Sequence, residues 1–262
     1  MPLFYDQLNR PVNLQAIPKR IISAVPSQTE LLFYLGLDAA IAGVTKFCSH
    51  PADKVKSIPK IGGTKQLNIP LIKELAPDLI IANKEENDQI QIEELSEHFP
   101  VWISDVSDLP GALAMISSLG TITGKQEPAE ALTRQITDDF TNLQIAHTGK
   151  RALYLIWRNP YMAAGQHTFI DSLLPYCGLM NAVDESRYPE ITAAKLKNIN
   201  PDVILLSSEP YPFREKHIAE LQTLLPLANI ILVDGEVFSW YGSRLLHAPA
   251  YFKQLNEALL KF

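Results

Sequence analysis

Short apolar runs alternate along the chain with stretches whose apolar residues recur at helical spacing. In RIISAVPSQTELLFYLGL (20–37), Ile21, Ile22 and Val25 form a buried β run that Pro26 stops. A helix follows: Ser27 or Thr29 supplies the capping hydroxyl, and Glu30 suits the first turn. Leu31, Leu32 and Leu35 make the apolar stripe, and Gly36 ends it. RALYLIWRNPYMAAGQHTFIDSLLPYCGL (151–179) repeats the order, with a strand over 153–157, a polar turn, and a helix closing near Gly178.

A closer echo joins IKELAPDLIIANKEEN (72–87) to AKLKNINPDVILLSSEPYP (194–212): helix, Pro-Asp, short apolar strand, polar loop. Each is followed by another helix and strand, at 93–106 and 220–235. Such alternation predicts parallel sheets built from βαβ units, and two such halves predict an α/β protein of two lobes. Between the halves, residues 128–147 contain no Gly and no internal Pro, and Ala131, Leu132, Ile136, Phe140 and Leu143 recur at helical spacing. Starting at Pro128, where a missing N–H is harmless, that pattern predicts a stiff helix of about 30 Å. The expected organisation is an N-terminal lobe (1–125), a bridging helix (126–149) and a C-terminal lobe (150–262).

Composition narrows the function. The 262 residues are 47% hydrophobic and 20% charged, with a net charge of −6. No basic stripe exists to neutralise phosphates, which excludes nucleic acid as the main partner. Apolar runs such as LIIA (79–82) and IILV (230–233) are far short of a membrane span. Two cysteines, Cys48 and Cys177, imply no disulfide framework. The opening MPLFYDQLNR has neither the basic start nor the apolar run of a secretory signal. The chain as written is therefore expected in the cytoplasm, or in the periplasm if a leader has been removed. A monomer is expected.

Ligands of open parallel sheets bind beyond the carboxyl ends of the strands. Those ends carry Gln28, Lys46, Cys48 and His50, Glu85, Trp157 and Arg158, Glu209, and Trp240, Tyr241 and Arg244. Aromatic faces with a few polar groups are the usual make-up of a small-molecule site. TKFCSHP (45–51) is the most unusual of these loops. Cys48 and His50 supply two metal ligands of the three or four required, so Glu85, Glu86, Glu209 or His247 would have to complete the set. As nucleophile and base the pair lacks a group to orient the imidazole. The plain alternative is a Cys packed as a small hydrophobe beside a surface His. Gly62-Gly63 lacks the spacing of a dinucleotide fingerprint and reads as a turn.

With these residues on view, RIISAVPSQTELLFYLGL, GVTKFCSHP, KIGGTKQLNIPLIKELAPDLIIA and NPDVILL resemble the helical-backbone (class III) substrate-binding proteins of ABC importers, the cobalamin- and ferric-siderophore-binding type. The resemblance runs from about Arg20 to Phe262. It implies two α/β lobes joined by one long helix, and a solute held in the interlobe cleft without covalent chemistry. The solute class it implies is a corrinoid, a metal chelate or a similar small ligand.

Residue by residue, the resemblance places His50, Thr64 and Asn83 where the cobalamin binder has aromatic contacts. Tyr188 keeps an aromatic, and Trp240 falls in a cleft-lining loop. Importer-bound members carry a docking Glu on each lobe, and those positions are Pro70 and Ala194 here, with Glu74 and Glu190 close by. That departure counts against docking on ABC membrane subunits. It leaves a second reading, an intracellular metal or corrinoid sensor or chaperone using Cys48 and His50, and a third, a Cys48-dependent enzyme.

Overall fold

The computed structural model describes residues 3–261. They form two units. The first takes the chain through Val106, then Pro110–Ile136 and Trp240–Arg244. The second takes Ser107–Leu109, Thr137–Ser239 and the chain from Leu245 onward.

The first lobe opens on a hairpin, β1 (Leu3–Tyr5) and β2 (Pro11–Asn13), which the apolar pattern alone did not announce. Its sheet is wholly parallel, in the order β4-β3-β7-β8, from β3 (Ile21–Ser23), β4 (Ile41–Val44), β7 (Leu79–Asn83) and β8 (Val101–Ser104). A small hairpin of β5 (Gly62–Gly63) and β6 (Gln66–Leu67) precedes β7. Helices α1 (Pro26–Tyr34), α2 (Ile69–Leu75) and α3 (Gln89–Ser96) connect the strands. Every residue of β3, β7 and β8 is buried, as befits strands covered on both faces. Ile22, Ile61, Ile72, Ile80, Leu95 and Ile103 make the core on one face.

Pro26 begins α1 rather than merely stopping β3, since a proline at the first helical position costs no hydrogen bond. The expected hydroxyl cap is not made. Val25 stands at the N-cap, Thr29 turns its hydroxyl to the Val25 carbonyl at 2.9 Å, and Ser27 Oγ is buried without a partner.

Two further helices follow. α4 (Leu109–Ile122) was not anticipated, and α5 (Gln126–Thr141) begins earlier and ends sooner than the pattern over 128–147 suggested. The 16 residues of α5 span about 24 Å. Gln144, Ala146 and Thr148 lie beyond its end, where Ala146 is held instead by Asn256: the Ala146 N–H donates to Asn256 Oδ1 at 3.0 Å.

The second lobe has a six-stranded sheet in the order β12-β10-β9-β13-β14, with β11 beside β9. β9 (Lys150–Trp157), β13 (Val203–Ser207), β14 (Asn229–Val233) and β11 (Leu179–Asn181) pair in parallel. β10 (Tyr161–Ala163) and β12 (Glu190–Ile191) add an antiparallel edge. The helices are α6 (Phe169–Leu173), α7 (Ala193–Ile199), α8 (Glu215–Leu224), α9 (Gly235–Ser239) and α10 (Ala248–Leu259). The fold class is thus α/β, two lobes of mainly parallel sheet.

The echo read from the sequence is structural in detail. Asn68 and Thr192 cap α2 and α7 through their side chains, each accepting the third-residue N–H at 3.2 Å. Both helices end on a left-handed residue, Ala76 at φ 42° and Asn200 at φ 43°. The Pro-Asp that follows anchors the neighbouring strand. Asp78 accepts the Lys19 and Arg20 N–H groups at 2.8 and 2.9 Å, and Asp202 accepts that of Arg151 at 2.8 Å. Arg20 and Arg151 then donate to the last helical carbonyls, Leu75 and Ile199.

Candidate functional site

In the first lobe the parallel strands all end on one side, and the loops beyond them gather the residues expected there. Thr45 turns the chain out of β4, and the Lys46 N–H donates to the Gly62 carbonyl at 2.8 Å. That places Lys46 and Phe47 in the open. The Lys46 ammonium lies 5.1 Å from the Phe47 ring, which is 55% exposed. A Cβ on Gly63 would lie 3.2 Å from the same ring. His50 is half-buried, its ring edge-on to Trp240 at 5.6 Å.

Trp240–Arg244 groups with this lobe. Arg244 lies over the Trp240 ring at 5.1 Å and pairs with Glu30 through two bonds of 3.1 and 2.7 Å. Tyr241 donates to Glu86 at 3.1 Å. These contacts spend Tyr241 and Arg244 on carboxylates of the protein, so both serve first to seat Trp240. Thr64 offers its carbonyl to Asn87, and Glu85 offers its carbonyl to Lys65 at 2.6 Å.

Besides Trp240 and Tyr241, each 6% exposed, three expected contacts are turned inward. Gln28 is fully buried and donates to Ser104 Oγ and the Met115 sulfur. Asn83 is 3% exposed; its amide reaches Ser104 and its carbonyl accepts the Glu85 and Glu86 N–H groups at 2.8 and 2.9 Å. Both hold the loops together from beneath. The third is Cys48, 4% exposed, its sulfur 3.1 and 3.2 Å from the Thr29 and Thr45 hydroxyls. Burial pushes the Cys48 thiol up, outweighing those two hydrogen bonds. A protonated, enclosed thiol is a poor nucleophile.

Among the described residues no group of three or more His, Cys, Asp or Glu side chains could hold a metal ion. The packed-hydrophobe alternative is what the structure shows for Cys48.

In the second lobe, Trp157 closes β9 and stays 40% exposed, edge-on to Tyr211 at 5.8 Å. Arg158 turns back to Glu220 at 2.7 Å, where Tyr161 also donates at 2.7 Å. The Tyr161 hydrogen bond, with Arg158 beside it, holds the Glu220 carboxyl below its ordinary range, while burial and Glu220 push Tyr161 up to about 12. Glu209 accepts from Ser239 at 2.8 Å, and Tyr188 lies under the Arg187 guanidinium at 6.0 Å. Phe47 and Tyr211 stand in the same strand-end loops but are not among the contacts the sequence singles out. Phe47 was visible as the one aromatic of TKFCSHP, and Tyr211 as the aromatic next after the strand-end Glu-Pro.

Residues 21–224 match the profile of a family described as periplasmic binding protein, well over half of the chain. The chain belongs to the periplasmic binding protein family. Among its relatives, the vitamin B12-binding protein of Pectobacterium carotovorum is 26% identical over 246 residues, covering 89% of this chain and 86% of that one. An ABC transporter substrate-binding lipoprotein of Bacillus subtilis is 24% identical over 212 residues, 76% and 67% of the two chains. Among solved structures, the periplasmic vitamin B12-binding protein of Vibrio cholerae superposes with a TM-score of 0.80 at 21% identity, covering 94% and 99%. A periplasmic heme-binding protein in complex with two hemes gives 0.80 at 24%, covering 92% and 99%. A family of binding proteins makes this chain a solute binder, and the Cys48 enzyme reading falls. No helix among the described residues is long and apolar enough to cross a membrane.

Proposed function

We propose that this chain is the solute-binding component of an ABC importer and that its solute is a corrinoid, haem or ferric chelate. The observation that carries the proposal is the aromatic and cationic surface at the strand ends of the first lobe: exposed Phe47 under Lys46, beside half-buried His50, whose ring is backed edge-on by the buried Trp240. Aromatic faces suit a flat macrocycle, the ammonium suits its carboxylate or amide substituents, and an imidazole can approach a metal's open axial position. Relatives named as vitamin B12- and heme-binding support the same class. In the second lobe, Trp157 and Tyr211 are the aromatic pair proposed for contact.

The importer partner is proposed from the family. Pro70 and Ala194 stand at the second position of α2 and α7, both exposed. The exposed carboxylates on offer are Glu74, four residues after Pro70, and Glu190, four before Ala194. The relatives named periplasmic or lipoprotein support a place of work outside the cytoplasm.

Thermal unfolding with cyanocobalamin, haemin and a ferric catecholate tests the solute. A ligand at 100 times its Kd adds about 2.7 kcal/mol of stability, a shift visible in the melt. His50→Ala is expected to weaken the ligand that shifts wild type by about tenfold, roughly 1.4 kcal/mol. No shift with any of the three rejects the solute class.

A further inference from the structure

Tyr211 sits in the loop after β13, and its N–H reaches the Ile156 carbonyl at 3.3 Å, so the loop is tied to the end of β9 by backbone as well as by the Trp157 ring contact. Behind Tyr211 lies His217, 2% exposed, in the first turn of α8. The Arg214 N–H donates to His217 Nδ1 at 2.9 Å. A nitrogen that accepts there carries no proton, so the neutral imidazole has its proton on Nε2 and donates it to the Tyr211 hydroxyl 3.2 Å away. Phe213 closes the cluster, its ring 4.8 Å from Tyr211 and 5.4 Å from His217.

We infer that His217 is a positioning residue: its Nε2–H form seats Tyr211, and Tyr211 in turn holds Trp157 in the orientation it presents to a solute. The inference rests on the proposed function only in taking Trp157 as solute-facing. A second proton on the ring would sit on Nδ1, opposite the Arg214 N–H that points at it, and would break the start of α8. The groups facing His217 are Arg214 and Lys216 of its own segment, Glu220 one turn on, to which Tyr161 of β10 is bonded, Arg158 from the end of β9, and Tyr211 itself. Burial, then Lys216 and Arg158, oppose the second proton, while Glu220 and the Arg214 backbone favour it, with the net effect below the ordinary imidazole value. The seat is therefore whole above about pH 6.5 and is lost as the pH falls through the lowered value.

The test needs no ligand. Trp157 is 40% exposed while Trp102 and Trp240 are 1% and 6%, so acrylamide quenching of tryptophan fluorescence reports chiefly on Trp157. Between pH 7.5 and 4.5 the quenching constant of wild type is expected to rise about twofold, with its midpoint below 6.5. His217→Asn keeps an acceptor for Arg214 but not the donor to Tyr211, and should quench at the higher level throughout. His217→Gln reaches Tyr211 with its amide and should stay at the lower level throughout. A flat wild-type profile, or a titration that survives in His217→Asn, overturns the inference.

The link to binding is read from cyanocobalamin and haemin titrations, expected to weaken about fivefold from pH 7.5 to 5 in wild type and not in His217→Gln. Unchanged affinity in Trp157→Phe and across this pH range removes that link. Failure of both probes and of the ferric catecholate to bind wild type at pH 7.5 rejects the solute proposal instead, and the quenching experiment still decides this one.

Discussion

Residues 68–83 and 192–207 are two copies of one device that end in different chemistry. Each is a capped seven-residue helix, a left-handed turn, a Pro-Asp and a buried five-residue strand. Beyond the strand the copies part. In the first lobe Asn83 gathers the backbone of its own loop, and the exposed aromatic comes from the neighbouring loop, as Phe47. In the second, the loop after the strand brings Tyr211 against Trp157 and a buried histidine. The scaffold is a repeated solution to burying a strand; the proposed recognition surface is written separately at each strand end.

The comparison can be broken at its core first. Ile80 and Ile204 occupy the same place in β7 and β13, and both are fully buried. Alanine at either should cost about 2–5 kcal/mol, from lost burial plus the cavity left behind. Chemical denaturation of the two variants should give losses of similar size; a near-neutral result at one site would show that the two copies do not bear the same load.

The aspartates offer a smaller and unequal contrast. Asp78 receives two backbone N–H groups and Asp202 one from Arg151. Asp78→Ala is expected to cost about 2 kcal/mol and Asp202→Ala about 1, since each leaves strand-start donors without their acceptor. Equal losses in the same denaturation series would remove the distinction.

The smallest effect lies at the turns and has the opposite sign. Ala76 at φ 42° holds a conformation that costs an L-residue with no compensating side-chain bond, whereas Asn200 tolerates it. Ala76→Gly should stabilise by up to about 1 kcal/mol, and Asn200→Gly by no more than a few tenths. A melting temperature lowered by Ala76→Gly would contradict this account of the turn.

Much of this scaffold was legible because its signals are local. The Pro-Asp pairs, the periodic leucines of α1 and the apolar runs of β7 and β13 each act within a few residues, where propensity and periodicity operate. The hairpin β1–β2 and the edge strands β10 and β12 escaped because strands this short carry too few residues to show an alternation. α4 escaped for the opposite reason: LPGALAMISSLGTI contains a Pro and two Gly, which read as breakers, yet its apolar residues pack inward. Gly120 is one of them, and a Cβ there would lie 2.3 Å from that of Ala129 in α5.

By itself, then, the sequence determined the α/β class and the repeated βαβ units, because chain order and short-range packing settle those. Only the tertiary structure decided which strand-end residues are surface and which are foundation. Cys48, Gln28 and Asn83 are polar or reactive side chains at expected positions, yet each is buried and bonded within the protein. Phe47 and Trp157 are large and apolar, yet each is left in the open. Burial depends on what other parts of the chain bring against a side chain, and neighbours distant in sequence leave no local mark.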